Sequence, residues 1–239
     1  MDPHAAWAQA QEAEKRHWLT AGFTPERILR DQTIKAKATR EWLALWLTFG
    51  PETRILQLGC AITGRIHRLP GRRCAIDPLA DFFRETWPDL IDPEVDYRTG
   101  KGEELPWGNA AFDLVLCSNT LDHCEDPSRV AREMLRVTAP DGGLILLSGH
   151  VFGRLGAALH ASPLGRWLDR SHPHSFTLGA LDRMFVPPDP SVQVTAIDRK
   201  SRRVRVRSGG WTGAAKRLTV ALGLGPRFAE LVLMLQRTR

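Results

Sequence analysis

Residues 54–77 decide the fold, and they read RILQLGCAITGRIHRLPGRRCAID. The segment opens with a short apolar run, Arg54–Leu58, which passes directly into Gly59, and it closes with a second run, Cys74–Asp77, which ends in an acid. Short apolar runs that are bounded by turn residues are typical of buried strands. We therefore predict two strands here, with a tight turn after the first.

The same rhythm continues toward the carboxyl terminus and predicts five further strands with helices between them. The strands are Val95–Arg98, Phe112–Cys117, Gly143–Ser148, Val192–Ile197 and Leu231–Gln236, and the helices are Leu79–Trp87 and Ser128–Val137. Strands that are apolar on both faces and alternate with helices form a parallel sheet that is covered on both sides. The predicted fold class is α/β: a Rossmann-like, doubly wound sheet of seven mostly parallel strands.

Residues 1–50 precede this sheet and are predicted to form an N-terminal helical lid. Their pattern is helical to residue 49, apart from one break after which Thr24 can cap a helix that begins at Pro25. Trp42 and Trp46 are four residues apart, so on a helix they share one face. We expect that face to pack in the core.

Residues 51–239 are predicted to form the main domain. Within it, residues 150–190, which include Trp167, are expected to be an irregular, partly helical insertion on the substrate side. A further helix is expected near Ala214–Leu222.

Length and composition exclude several classes of protein. The 239 residues, 43% hydrophobic and 25% charged, are typical of a globular chain that buries its own core. No apolar run is long enough to span a membrane, and the amino terminus lacks the pattern of a secretory leader. The cysteines, Cys60, Cys74, Cys117 and Cys124, form no Cys-x-x-Cys pair and no zinc spacing, which favours reduced thiols and a cytoplasmic location.

The net charge of +6 is concentrated near the end of the chain. Residues 199–239 hold 11 of the 33 basic side chains and one of the 27 acids, Glu230. A basic stretch there can bind nucleic acid or form a solvated surface, and we favour the surface because no aromatic side chains lie between the cations. Its cations are Arg199, Lys200, Arg202, Arg203, Arg205 and Arg207.

Small and polar residues follow three of the predicted strands. The loop Gly59–Gly64 follows the first strand, Asp77 ends the second, and Ser118–Thr120 follows the fourth. Ligands of doubly wound sheets bind beyond the carboxyl ends of the strands, and an acid about twenty residues after the first glycine can bind ribose hydroxyls. Because the loop lacks the middle glycine of dinucleotide sites, we predict a nucleoside without a diphosphate.

Five motifs in one order carry a family resemblance. They are ILQLGC at 55–60, GEELPW at 102–107, AFDLV at 111–115, LDH at 121–123, and RV followed by PDGG within 136–143. This order and spacing resembles the class I S-adenosylmethionine-dependent methyltransferases, particularly the small-molecule branch of the type 11 kind. The resemblance implies a methyl-transfer reaction with S-adenosylmethionine as cofactor, S-adenosylhomocysteine as product and no metal.

The resemblance also implies roles for residues of the three segments and of the stretch at 102–103. The Gly59–Gly64 loop would hold the methionine part, Asp77 the ribose, Gly102 and Glu103 would lie beside the adenine, and Ser118 and Asn119 would line the methionine side. The cofactor-binding residues expected on this basis are Gln57, Gly59, Cys60, Ala61, Gly64, Asp77, Pro78, Gly102, Glu103, Ser118 and Asn119.

Three features depart from the family pattern. Gln57 and Lys101 stand where the family usually has acids, and the loop after the first strand contains fewer glycines than usual. A neutral amide at position 57 loses the strength of a charge-assisted hydrogen bond. The alternative to an enzyme is therefore a protein of this fold that has lost turnover and serves as a binding or assembly partner.

Histidines supply the candidate bases for methyl transfer to oxygen or nitrogen. His123 follows the fourth strand and His150 the fifth, so both are candidate catalytic residues. His172 and His174 lie in the insertion and, with Trp18 of the lid, are candidate substrate-binding residues. Metal binding by the His172–His174 pair is disfavoured because the sequence places no acid beside it.

The expected acceptor is a small molecule, such as a sugar or an intermediate of natural-product or polysaccharide synthesis. A nucleic-acid substrate is disfavoured because residues 118–121 read SNTL, without the Pro-Pro motif of amino-methylating enzymes, and neither Cys117 nor Cys124 follows a proline. An RNA methyltransferase that uses the basic stretch is the remaining option. The oligomeric state is not indicated by any pattern.

Overall fold

The computed structural model describes residues 3–163, 165, 172–203, 218–220 and 224–238. Seven strands of this part of the chain form one sheet. They are β1 (Arg54–Leu58), β2 (Arg72–Asp77), β3 (Val95–Thr99), β4 (Leu114–Ser118), β5 (Leu144–Val151), β6 (Val192–Arg203) and β7 (Arg227–Arg237). Trp167, Arg205, Arg207 and most of the helix expected near 214–222 lie outside the described residues.

The strand order is β3-β2-β1-β4-β5-β7-β6. The first five strands pair in parallel, whereas β7 pairs antiparallel with both β5 and β6. This arrangement confirms the predicted Rossmann-like, mostly parallel sheet of seven strands. Its order reverses between β1 and β4, which creates a crevice at the carboxyl ends of those two strands.

Helices cover the sheet and precede it. They are α1 (Pro3–Thr20), α2 (Pro25–Leu43), α3 (Ala80–Thr86), α4 (Pro127–Val137), α5 (Arg154–Ala161) and α6 (Leu178–Met184), with short 3-10 turns at Arg65–Arg68, Pro88–Leu90 and Leu121–His123. The Thr24 hydroxyl accepts a hydrogen bond from the Arg27 amide, so the predicted cap of α2 is present. Among the described residues, no helix combines the length and the hydropathy needed to cross a membrane.

The prediction that helical structure runs to residue 49 is wrong. Helix α2 ends at Leu43, because the amides of Trp46 and Leu47 both donate to the Leu43 carbonyl and close the helix with a turn. Trp42 and Trp46 are nevertheless half-buried against the same core, as expected. The Trp42 indole donates to Asp198 Oδ2 at 2.5 Å and so ties α2 to β6.

Two apolar cores lie on opposite faces of the sheet. One contains α4, through Val130 and Met134, and the other contains α2 and α3, through Ile28 and Phe83. Burial of apolar surface on both faces is the main stabilising contribution in such folds. All four cysteines are free thiols, in agreement with the sequence prediction.

The last two strands are longer than predicted. Strand β6 continues six residues past Ile197, and β7 begins four residues before Leu231. Within the described part of the chain β6 pairs only with β7, and an edge strand can carry charged side chains. The beginning of the basic stretch, Arg199–Arg203, is therefore part of the sheet rather than a free tail.

Candidate active site

A cavity of about 370 Å³ opens over the crevice between β1 and β4. Its floor is formed by the ends of β1, β2 and β4, and helix α1 forms one wall with Trp7, Gln11 and Glu14. Of the eleven cofactor-binding residues predicted above, every one lines this cavity. The structure therefore brings together residues that lie between positions 57 and 119 of the 239-residue chain.

The turn after β1 presents backbone to the cavity. Gly59 has a φ of +57°, and a Cβ added there would overlap the Thr120 side chain. Ala61 also lies in the left-handed region, with a φ of +43°. Such a turn lets a ligand approach the main chain closely, and at Gly59 it requires glycine.

Asp77 ends β2 and points into the cavity wall. Its Oδ1 accepts a hydrogen bond from the Leu79 amide at 2.9 Å, and its Oδ2 accepts one from the Ala61 amide at 3.0 Å. The residue is 6% exposed, and this burial raises the pKa of its carboxyl group to about 6, against the two hydrogen bonds, which lower it. Each oxygen keeps a lone pair for a ligand hydroxyl.

Two buried hydroxyls lie side by side at the ends of β4 and β5. Ser118 and Ser148 pair in register, and among the described residues neither Oγ has a hydrogen-bond partner. Both residues line the cavity. Buried polar atoms are normally paired, so these hydroxyls are suited to receive a polar ligand. Asn119 follows with a φ of +53°, and its amide donates to the Ser148 carbonyl.

The residues that depart from the family pattern have structural partners. Gln57 is 2% exposed, and its Oε1 accepts a hydrogen bond from the Ile66 amide at 3.0 Å. Lys101 Nζ lies 2.9 Å from Glu125 Oε2 and 3.8 Å from the centre of the Trp7 ring. Glu103 Oε1 accepts hydrogen bonds from the amides of Glu125 and Asp126.

Lys35 and Arg65 were not predicted from the sequence as site residues, yet both line the cavity. Lys35 Nζ donates to the Thr63 carbonyl at 2.9 Å, and Arg65 Nη1 donates to Thr39 Oγ1 at 3.0 Å. Burial, and then the charge of Arg65, lower the pKa of Lys35. Within the described part of the chain, no carboxylate oxygen lies within 4.0 Å of either cation, so this end of the cavity favours an anion.

Trp18 forms part of the cavity wall but is largely a core residue. It is 9% exposed, and its ring lies 5.0 Å from that of Phe23 and 5.5 Å from that of Phe83. Its Nε1 donates to Glu14 Oε1 at 2.9 Å. A role in substrate binding stays a prediction for this residue.

The candidate histidines separate into two groups. His123, His150 and His172 surround the buried carboxylate of Asp122, which the sequence prediction did not include. His123 lines the large cavity, whereas His150 and Asp122 line a smaller cavity beside it. His174 is apart from this group, because its Nε2 donates to the Cys124 carbonyl at 2.9 Å.

Asp122 is an acid that lies close to His172 in the folded chain but not in the sequence. No acid stands beside His172 in the sequence, but in the folded chain Asp122 Oδ2 lies 4.0 Å from His172 Nε2. His174 is not part of this group, because its ring contacts the Cys124 carbonyl. Burial would raise the pKa of the Asp122 carboxyl group, but the interaction with His150 and the charges of His123 and His172 outweigh it and lower the pKa.

Comparisons with known proteins agree with the fold and match part of the chain to a family. The family described as "Methyltransferase domain" matches residues 56–146. An uncharacterized methyltransferase of Mycobacteroides abscessus is 37% identical over 94 residues, which are 36% of this chain and 36% of that protein. The matched region spans about a third or less of the first curated relatives.

Two solved structures share the fold. The YcgJ protein of Bacillus subtilis superposes with a TM-score of 0.62 at 17% identity, covering 88% of this chain and 99% of that one. Geranyl diphosphate C-methyltransferase of Streptomyces coelicolor, solved with Mg²⁺, a substrate analogue and S-adenosyl-L-homocysteine, gives 0.62 at 14% identity, covering 83% of this chain and 75% of that one.

The sheet order and the position of the cavity define a Rossmann-like methyltransferase fold. The family match assigns residues 56–146 to the methyltransferase domain family, and the curated relatives that match this part of the chain include methyltransferases.

Proposed function

We propose that this protein transfers a methyl group from S-adenosylmethionine to an oxygen or nitrogen atom of a small-molecule acceptor. The observation that carries the proposal is the cavity at the reversal of strand order, in which Asp77, the turn at Gly59 and two unpartnered hydroxyls converge. These groups fit a nucleoside with a polar tail. When bound, S-adenosylmethionine supplies an electrophilic methyl group.

The cavity offers complementary groups for each part of the cofactor. Asp77 would accept hydrogen bonds from both ribose hydroxyls, and Gly102 and Glu103 would border the adenine. The backbone of the Gly59–Gly64 turn would follow the methionine part. Lys35 and Arg65 would bind its carboxylate, because these two cations, one half-buried and one buried, lie at that wall. Ser118 and Ser148 would gain the hydrogen bonds that they lack.

His123 is the proposed general base. It lies in the large cavity next to Cys124 and Ser148, and an imidazole can accept a proton near neutral pH. The adjacent Asp122 Oδ1 lies 4.0 Å from His123 Nε2 and favours a cationic ring after proton transfer. His150 faces the smaller cavity, so its predicted role as a base is the weaker of the two.

The acceptor is proposed to be a small molecule rather than a nucleic acid. The cations of the basic stretch that the structure describes have partners within the chain. Arg199 pairs with Asp182 at 2.6 Å, and Lys200 and Arg202 lie over the rings of Trp42 and Phe228. Retardation of bulk RNA that weakens with added salt would favour an RNA substrate instead.

Calorimetric titration with S-adenosylmethionine and S-adenosylhomocysteine tests the cofactor site. We expect saturable binding by the native chain and by Asp81→Ala, which removes an exposed acid of α3, but not by Asp77→Ala. An absence of binding to the native chain would refute the cofactor site and favour the second candidate. That candidate, a protein of this fold without turnover, is supported by the amide of Gln57 in the place of an acid.

A further inference from the structure

Three side chains converge on one point beside the smaller cavity, and we name them the donor cluster: Asp122, His150 and His172. Asp122 and His150 line that cavity. Asp122 Oδ2 lies 3.9 Å from His150 Nδ1 and 4.0 Å from His172 Nε2. One ligand atom from each residue lies within 4.8 Å of the other two. Two imidazoles and a carboxylate thus face a common centre.

One oxygen of this buried carboxylate has no hydrogen-bond partner among the described residues, although histidines lie near it. Asp122 is 4% exposed, and among the described residues its Oδ2 has no hydrogen-bond partner. The distances of 3.9 and 4.0 Å to the histidines exceed the range of N–H···O hydrogen bonds. A buried carboxylate is normally paired through hydrogen bonds or binds a cation.

A metal ion fits the spacing of these donors. Two ligand atoms at about 2.1 Å from a tetrahedral zinc ion are separated by about 3.4 Å. The two spacings from Asp122 Oδ2 are about half an ångström larger, and all three donor atoms lie within 4.8 Å of one another. Side-chain rotations can bring these atoms closer together. A set of two imidazoles and one carboxylate is the ligand set of several catalytic zinc and iron sites, whereas Mg²⁺ and Ca²⁺ prefer oxygen donors alone.

We propose that Asp122, His150 and His172 bind one divalent transition-metal ion, with zinc as the first candidate. Ser148 lines both the smaller cavity and the large one, so the ion lies at the wall that the two cavities share. Three protein ligands leave a coordination position open. A hydroxyl or carboxylate oxygen of a ligand would fill that position. That this ligand is the methyl acceptor rests on the proposed function.

The neighbouring ring of His123 connects this site to the large cavity. The His123 and His172 ring centres are 4.7 Å apart, and those of His150 and His172 are 5.6 Å apart. A metal-bound oxygen at this wall would be close to the proposed base. Coordination lowers the pKa of a bound hydroxyl, which would ease its deprotonation.

Metal titration of the full chain tests the site without any acceptor. The chain is first stripped with a chelator and then titrated with Zn²⁺ by calorimetry and with Co²⁺ by visible absorption. We expect one ion per chain, with the absorption bands of Co²⁺ bound by nitrogen and oxygen. Asp122→Asn, His150→Ala and His172→Ala should each weaken binding by more than about tenfold.

His174→Gln is the matched control, because His174 lies two residues from His172 but binds the Cys124 carbonyl instead. It should retain the ion with unchanged affinity. Circular dichroism of each variant shows whether weaker metal binding comes from a missing ligand or from a failure to fold. If an alanine variant fails to fold, His150→Gln is tested in its place.

Two results would overturn the proposal. One is that the native chain takes up no ion, in which case Asp122 serves only to orient histidines. The other is that the cluster variants bind the ion as tightly as the native chain, which places it elsewhere. Titration of Asp122→Asn with S-adenosylhomocysteine keeps this test separate from the proposed function, since the cofactor groups do not include Asp122.

Discussion

The two ends of the site are built in different ways. Most of the proposed cofactor end comes from one continuous stretch, β1 with its turn and β2, whose residues lie in register on neighbouring strands. Lys35 of α2, the Gly102–Glu103 segment and the end of β4 complete it. The acceptor end comes from three separate stretches: the turn after β4, the end of β5 and the segment around His172. The comparison indicates that the fold itself prepares cofactor binding, whereas chemistry at the acceptor depends on how the chain returns to the sheet.

The largest expected effect is on cofactor affinity, and it distinguishes a substitution at the cofactor end from one at the acceptor end. Asp77→Ala should weaken binding of S-adenosylhomocysteine by about 100-fold, because two hydrogen bonds to a charged carboxylate are lost, each contributing about 1.5 kcal/mol. Asp122→Asn should leave the affinity for S-adenosylhomocysteine unchanged within about twofold, because mutations at independent sites do not affect each other. Calorimetry on both variants measures the difference, and equal losses would show that the two ends are one coupled unit.

A substitution in the turn at Gly59 should lower the stability of the fold. Gly59→Ala places a Cβ against Thr120 at a positive φ, so we expect the free energy of unfolding to fall by about 2 kcal/mol. Gly108→Ala is the control, because a Cβ there meets no atom within 4 Å. Chemical denaturation of both variants measures the change, and an unaffected Gly59→Ala would contradict the described turn.

Lys35 and Arg65 distinguish the methionine part of the cofactor end from its nucleoside part. Lys35→Met should weaken binding of S-adenosylhomocysteine by about tenfold through loss of one charge-assisted hydrogen bond. Binding of methylthioadenosine, which lacks the amino-acid part, should not change. Lys37→Met alters an exposed lysine of the same helix and serves as the control. Equal weakening of both ligands would place Lys35 away from the methionine carboxylate.

Protonation of Asp77 should give the cofactor end a pH dependence. With a pKa of about 6, the carboxyl group is mostly protonated near pH 5 and mostly ionised near pH 7. Because two ribose hydroxyls need an ionised acceptor, affinity for S-adenosylhomocysteine should rise about tenfold over that range. Asp77→Asn should remove this dependence, and a native affinity that is flat with pH would contradict the assignment.

Sequence reasoning succeeded where the residues that act together are close in the chain. The strands from β1 to β5, the glycine turn and Asp77 follow from local patterns of apolar and turn residues. Lys35 was missed because it looks like any exposed helical lysine until Thr63 is placed beside it. Asp122 was missed because its partners come from other strands and loops, and no local sequence pattern predicts that these residues are close in space.

The ends of β6 and β7 were misjudged for a different reason. The outer residues of β6 are mostly charged, and in the described sheet this strand lies at the edge, where it is ordered by its one neighbour rather than by burial on two faces. Strand β7 lies between β5 and β6, and its first residues, Arg227–Glu230, mix charged and apolar side chains. The register of Arg199 with Leu231 and of Arg202 with Phe228 shows that main-chain pairing extends beyond the apolar part.

The basic residues of β6 also have a consequence for the behaviour of the protein in concentrated solution. A strand at the rim of a sheet exposes main-chain amide and carbonyl groups that can recruit a strand from another molecule. Here that rim carries Arg199, Lys200 and Arg202, so two copies that approach rim to rim repel each other. We therefore expect these charges to disfavour growth of the sheet by strands from other molecules.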